Sequence, residues 1–139
     1  MFIKKERIIA ITLALYKVTD FLPEKEVLRY RIRDIANDIL AELVCLETKE
    51  TGKKINILIA YFQVAMPQNW LDKKNFLVLE REYIDFKQEI EEIEQNEEIQ
   101  EIQEINDFAK QGIQEIQEIE EVNNSVEQEI QEIEQKPVK

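Results

Sequence analysis

The sequence predicts an all-α protein, an antiparallel four-helix bundle followed by an acidic, low-complexity C-terminal tail. Three observations lead there. Apolar residues recur at spacings of three and four in successive segments, which places them on one face of a helix. Glycine and proline are scarce, at 2 and 3 in 139 residues, whereas hairpins, tight turns and glycine-rich loops need both. The net charge of −12 divides sharply: residues 1–89 carry 15 basic and 14 acidic side chains, and residues 90–139 carry 3 and 16. The chain therefore reads as two objects, a near-neutral bundle over 1–95 and an acidic Ile/Glu/Gln tail over 96–139.

The first helix is expected from about Lys4 to Thr19. Ile8, Ile11, Leu15, Val18 and Leu22 share one face, and Ile9, Leu13 and Tyr16 widen it. So broad an apolar face needs cover on more than one side, from the core or from a second subunit. The same run, Ile8–Tyr16, follows Lys4, Lys5 and Arg7 and outwardly resembles a signal peptide. No small-residue cleavage site follows it, and it is far short of the roughly 20 residues a membrane span needs.

Pro23 suits the first position of a second helix, because its missing N–H has no intrahelical partner there. That helix is expected to reach about Glu47, with Leu28, Ile32, Ile35, Ile39, Leu43 and Leu46 on its apolar face. Cys45, flanked by Val44 and Leu46, reads as a small core residue. Thr48–Lys54 reads as a polar loop. A third helix over about Ile55–Met66 is interrupted only by Asn56 and Gln63, so it should be the most buried element, and Pro67 ends it. Its length and the lack of a partner strand favour helix over strand. The fourth helix starts near Asp72, with Phe76, Leu79, Tyr83, Phe86, Ile90 and Ile93 in one seam. Trp70 is expected to close one end of the core.

The seam fails at Glu97. Glu98–Ile105, Ile113–Glu120 and Glu129–Glu134 are built from Glu-Ile-Gln units with isoleucine mostly at every third residue. Three steps of about 100° fall short of a full turn, so such positions spiral round a helix instead of aligning. The tail is expected to be disordered or a mobile helix.

Composition removes most chemistry. There is no histidine, so the commonest general base and metal ligand is missing. One serine, Ser125, and one cysteine without histidine cannot form a nucleophilic triad or dyad of the usual kind. No glycine-rich phosphate loop occurs. The chain thus reads as a non-enzyme with no cofactor, no metal and no small-molecule substrate, kept in a reducing cytoplasm that suits a lone cysteine. The candidate site is basic: Lys25, Arg29, Arg31 and Arg33, joined by Lys53 and Lys54, with Lys49 nearby. These could contact nucleic-acid phosphates, or pair with Asp34, Asp38 and Glu50 as a solvated face. The tail could shield that face or merely solvate the chain.

Phe21-Leu22-Pro23-Glu24-Lys25 leading into Arg31–Ala36, then Leu58–Ala65, Trp70-Leu71 and Phe76–Tyr83, resemble a known pattern. It is that of the four-helix-bundle family of the accessory variability determinant (Avd) of diversity-generating retroelements and the S23 ribosomal-intervening-sequence proteins. The resemblance implies a homo-oligomer, a pentameric barrel. It also implies an adaptor whose basic surface binds RNA and a reverse transcriptase, with Arg31, Arg33 and Arg29 as contacts. Two other readings compete. Arg31–Ala36 has a faint helix-turn-helix character that would suit a DNA-binding regulator, although no turn glycine precedes a recognition helix. An acidic, antitoxin-like binder of a basic partner is the other.

Overall fold

The computed structural model describes residues 3–135, with side chains to residue 131. It is an all-α helical bundle with no strand among the described residues. The helices are α1 (Lys5–Thr19), α2 (Val27–Cys45), α3 (Thr51–Ala65) and α4 (Lys74–Gln135), with a 3₁₀ turn at Met66–Gln68. The chain divides into two units, Met1–Glu94 and Gln95–Lys139. Among the described residues, all sixteen buried apolar side chains lie between Ile8 and Ile90, in the first unit. No helix among the described residues is long and apolar enough to cross a membrane.

Side chains tie successive helices in an up-down-up-down order. The Asn37 side-chain amide donates to the Tyr16 hydroxyl at 2.8 Å, joining the end of α1 to α2. Glu42 on α2 accepts from Thr51 and Lys54 at the start of α3. Phe62 on α3 packs against Phe76 and Tyr83 on α4, with ring centroids 5.7 and 6.3 Å apart. Arg7 returns from α4 to α1: it donates to Glu89 at 3.0 Å and Glu82 at 3.2 Å, and lies over the Phe86 ring at 4.6 Å. Burial alone lowers the Arg7 pKa, but the hydrogen bonds to Glu82 and Glu89 outweigh it and leave the pKa raised.

The buried seam of α4 is the one its spacing predicts: Phe76, Leu79, Tyr83, Phe86 and Ile90 are buried and Ile93 partly so. On α1 the seam is turned slightly. Its centre is Ile8, Thr12, Leu15 and Thr19, while Ile11 and Val18 sit at the edge. The two threonines tolerate this because each hydroxyl donates to the carbonyl four residues back, at 2.8 and 2.9 Å. Beside Thr12, the Tyr83 hydroxyl is buried without a hydrogen bond of good geometry. Burial pushes its pKa well up, and Thr12 offsets only part of that.

Four expectations are corrected. Pro23 does not open α2; it begins a turn in which its carbonyl accepts from the Glu26 N–H at 3.0 Å, and the helix starts at Val27. Thr51–Lys54 is the first turn of α3 instead of a loop, and the Thr51 side chain is fully buried. α3 is not buried all round: Ile55, Leu58, Phe62 and Ala65 face the core, whereas Ile57 and Val64 are 44% and 56% exposed. Cys45 is exposed, not core. Two residues past the buried Leu43, it lies about 200° round the helix, on the opposite side.

α2 ends at Leu46, which takes the left-handed conformation (φ 57°) while the Glu47 N–H bonds back to the Glu42 carbonyl at 3.0 Å. That geometry is glycine's, and a residue with Cβ pays about 1–2 kcal/mol to adopt it. Leu46 is 65% exposed, so little packing offsets the strain. Leu46→Gly should therefore stabilise the protein by about 1 kcal/mol, seen as a raised thermal midpoint. A lowered midpoint would mean that the leucine packs usefully in solution.

At the start of α4 the Asp72 carboxylate accepts from the Lys74 N–H at 3.0 Å, capping the first turn. The second unit is a helix through Gln135; residues 136–139 of the expected tail lie outside the described residues. Ile99, Ile102, Ile105 and Phe108 are 58–79% exposed, in keeping with apolar positions that wind round the helix.

Candidate nucleic-acid interface

The basic residues singled out by sequence do not form one surface. Arg29 and Arg33 sit one turn apart on α2 and turn back onto the end of α1. Arg33 Nε donates to Thr19 Oγ1 at 2.8 Å, and its Nη2 reaches the Tyr16 carbonyl at 3.2 Å and Asp20 at 2.7 Å. Its guanidinium lies over the Tyr16 ring, 4.7 Å from the centroid. Arg29 donates to the Leu22 carbonyl at 3.2 Å and to Asp20 at 3.3 Å. Both side chains are only 16% exposed. Arg29 satisfies the Leu22 carbonyl in the turn after α1, Arg33 adds a donor to the Tyr16 carbonyl, which also accepts from the Asp20 N–H, and cations there suit the negative end of the helix dipole. This is a structural clamp at the α1–α2 corner, with its hydrogen-bonding capacity directed inward.

Lys54 is similarly engaged. It bonds Glu42 and lies 4.0 Å from Asp38. The hydrogen bond to Glu42 is the main reason its pKa is raised, against a smaller lowering by burial. Lys53 pairs with Glu50 at 3.4 Å, but both are largely exposed, so the pair contributes little. Residues 29 and 42 are separated along α2 by about 20 Å, so the arginine and lysine groups belong to different ends of the helix.

Lys25 and Arg31 are, like Lys53, open to solvent. Lys25 lies in the turn before α2, and Arg31 faces away from Arg29 and Arg33, about 200° round the helix. Neither has an ion pair among the described residues. The acidic partners that matter are Asp20 and Glu42, neither of which sequence reasoning paired with the basic set. Asp38 and Glu50 were expected as partners and do pair, with Lys54 and Lys53. Asp34 makes no ion pair among the described residues. The only hint of the clamp in sequence is the i,i+4 repeat of Arg29 and Arg33 on α2 beyond an acidic residue in the preceding turn.

No cluster of three or more acidic, cysteine or histidine side chains among the described residues is placed to hold a metal ion. Compared with family models, with curated proteins and with solved structures, the chain matches none of them.

Proposed function

We propose that the chain is a non-catalytic helical adaptor that works by protein contact, with copies of itself and with a partner protein. The observation that carries this reading is the apolar surface the bundle leaves in water. Exposed hydrophobic residues are ordinary when scattered singly. Here they come in pairs on single helix faces: Ile9 with Leu13 on α1, Ile57 with Val64 on α3, and Leu77 with Ile84 on α4, each 38–59% exposed. Residues four or seven apart share a face, so the α1 pair and the α3 pair, the latter bridged by Ala60 and Tyr61, are short apolar strips suited to another subunit; on α4 the charged Glu80 and Arg81 lie between the two. The mass of the full chain in solution tests the reading. Leu13→Glu/Val64→Glu should lower that mass towards 16.6 kDa without loss of helix.

The resemblance to Avd proteins supports the same reading. It would make the assembly pentameric and the partner a reverse transcriptase. A cytoplasmic location belongs to the proposal, since an exposed lone thiol such as Cys45 stays reduced there.

The open Lys25 and Arg31 favour a second, narrower reading in which RNA is bound as well. Lys25→Ala/Arg31→Ala leaves the α1–α2 clamp intact. It should weaken binding to single-stranded RNA and flatten its salt dependence by roughly two phosphate contacts. Unchanged binding and an unchanged slope would remove RNA from the account.

A further inference from the structure

The second unit carries a surface that the bundle does not need. Ile116, Ile119, Val122, Val126 and Ile130 are each 47–61% exposed. Unlike Ile99–Phe108, their 3-3-4-4 spacing holds them together: at about 100° per residue they fall within an arc of about 120°, which also takes in Glu115 at its start and Asn123 midway. This is a seam about two heptads long. Glu120 and Glu127 lie about 80–100° to one side of its midline, and Glu118 and Glu129 lie equally far to the other. Two shallow hollows lie along the same stretch, one lined by Glu115, Glu118, Ile119, Val122 and Asn123, the other by Glu118, Glu121, Val122, Ser125, Val126 and Glu129.

The flanking charge selects the occupant. Flanking positions set partner choice when two helices pair along an apolar seam. A second copy would bring acid against acid whether it lay parallel or antiparallel, because both flanks are acidic. Residues 95–131 hold 11 acidic side chains and one basic, so no internal cation relieves that repulsion beyond Lys110. Glu115, Glu118 and Glu121 also repeat every three residues along the helix and repel one another. A cationic helix would cover the seam and neutralise both flanks at once.

We propose that Ile116–Ile130 is a docking face for a basic amphipathic helix of a partner protein, with an apolar stripe bordered on both sides by lysine or arginine. This rests on the adaptor reading and names the chemistry of one partner. It uses other residues than the bundle strips.

The test uses the full-length chain and a labelled synthetic helix of about four heptads, with an Ile/Leu seam and lysine at both flanks, followed by fluorescence anisotropy. It should bind about tenfold or more tighter than a scrambled peptide of identical composition, and far tighter than the same helix with glutamate flanks. Binding should weaken at high salt. Ile119→Ser/Val122→Ser/Val126→Ser should erase the preference for the ordered peptide. Glu118→Gln/Glu120→Gln/Glu127→Gln/Glu129→Gln keeps helix propensity and should weaken the basic peptide severalfold. Leu13→Glu/Val64→Glu should leave this binding unchanged, which separates failure here from failure of the bundle interface. Equal binding of ordered and scrambled peptides would overturn the proposal, as would equal binding of basic and acidic helices. So would a fall in the mass of the chain itself on the serine substitutions, which would make the occupant a second copy.

Discussion

Replacing Phe62 with alanine is expected to destabilise the protein by about 3–5 kcal/mol, enough to leave a marginally stable bundle largely unfolded. Phe62 is fully buried in the last turn of α3 and touches two α4 rings, Phe76 and Tyr83. Tyr83 in turn packs edge-on against Phe86 at 5.8 Å, and the Phe86 ring carries the Arg7 guanidinium. Truncation at Phe62 would open a cavity within this chain of rings, between Phe76 and Tyr83, and remove its tie to α3. Urea titration followed by circular dichroism measures the loss. A change below 1 kcal/mol would mean that α3 and α4 do not pack in solution as they do here.

Arg33→Ala is expected to cost about 2 kcal/mol. Arg33 makes three hydrogen bonds, to Thr19, to the Tyr16 carbonyl and to Asp20. Asp20 is 66% exposed, so that ion pair is screened by water; the bonds to Thr19 and to the carbonyl are better shielded. Arg33→Lys should recover only part of the loss, because an ammonium cannot reproduce the guanidinium fork. The result bears on function. A cost near zero would mean that Arg33 swings free and could meet a phosphate, as the sequence reading allowed. A cost near 2 kcal/mol would keep it in the corner clamp and leave Lys25 and Arg31 as the open cations.

The bundle was legible where apolar spacing alone decides burial. The α4 seam from Phe76 to Ile90 follows from its 3-4-3-4 pattern without any knowledge of its neighbours. It was not legible at Thr12 and Thr19, which hydropathy counts as polar but which bury their hydroxyls against carbonyls of their own helix. Cys45 was misjudged from its apolar neighbours; its angle from Leu43 was the better guide. Pro23 is compatible with both a helix start and a turn, and the choice depends on how α1 and α2 meet. The α1–α2 clamp was not legible for a similar reason. Asp20 is 9 and 13 residues from Arg29 and Arg33, and only the turned corner brings them together. Exposure of the Ile57/Val64 strip depends on how many neighbours surround α3, which no local pattern records.

Whether the bundle's apolar strips form a protein interface is decided by the solution mass of the full-length chain, measured by light scattering over a range of concentrations. That mass should be a multiple of 16.6 kDa, returned to the single-chain value by Leu13→Glu/Val64→Glu. A wild-type mass of 16.6 kDa at every concentration would contradict the interface.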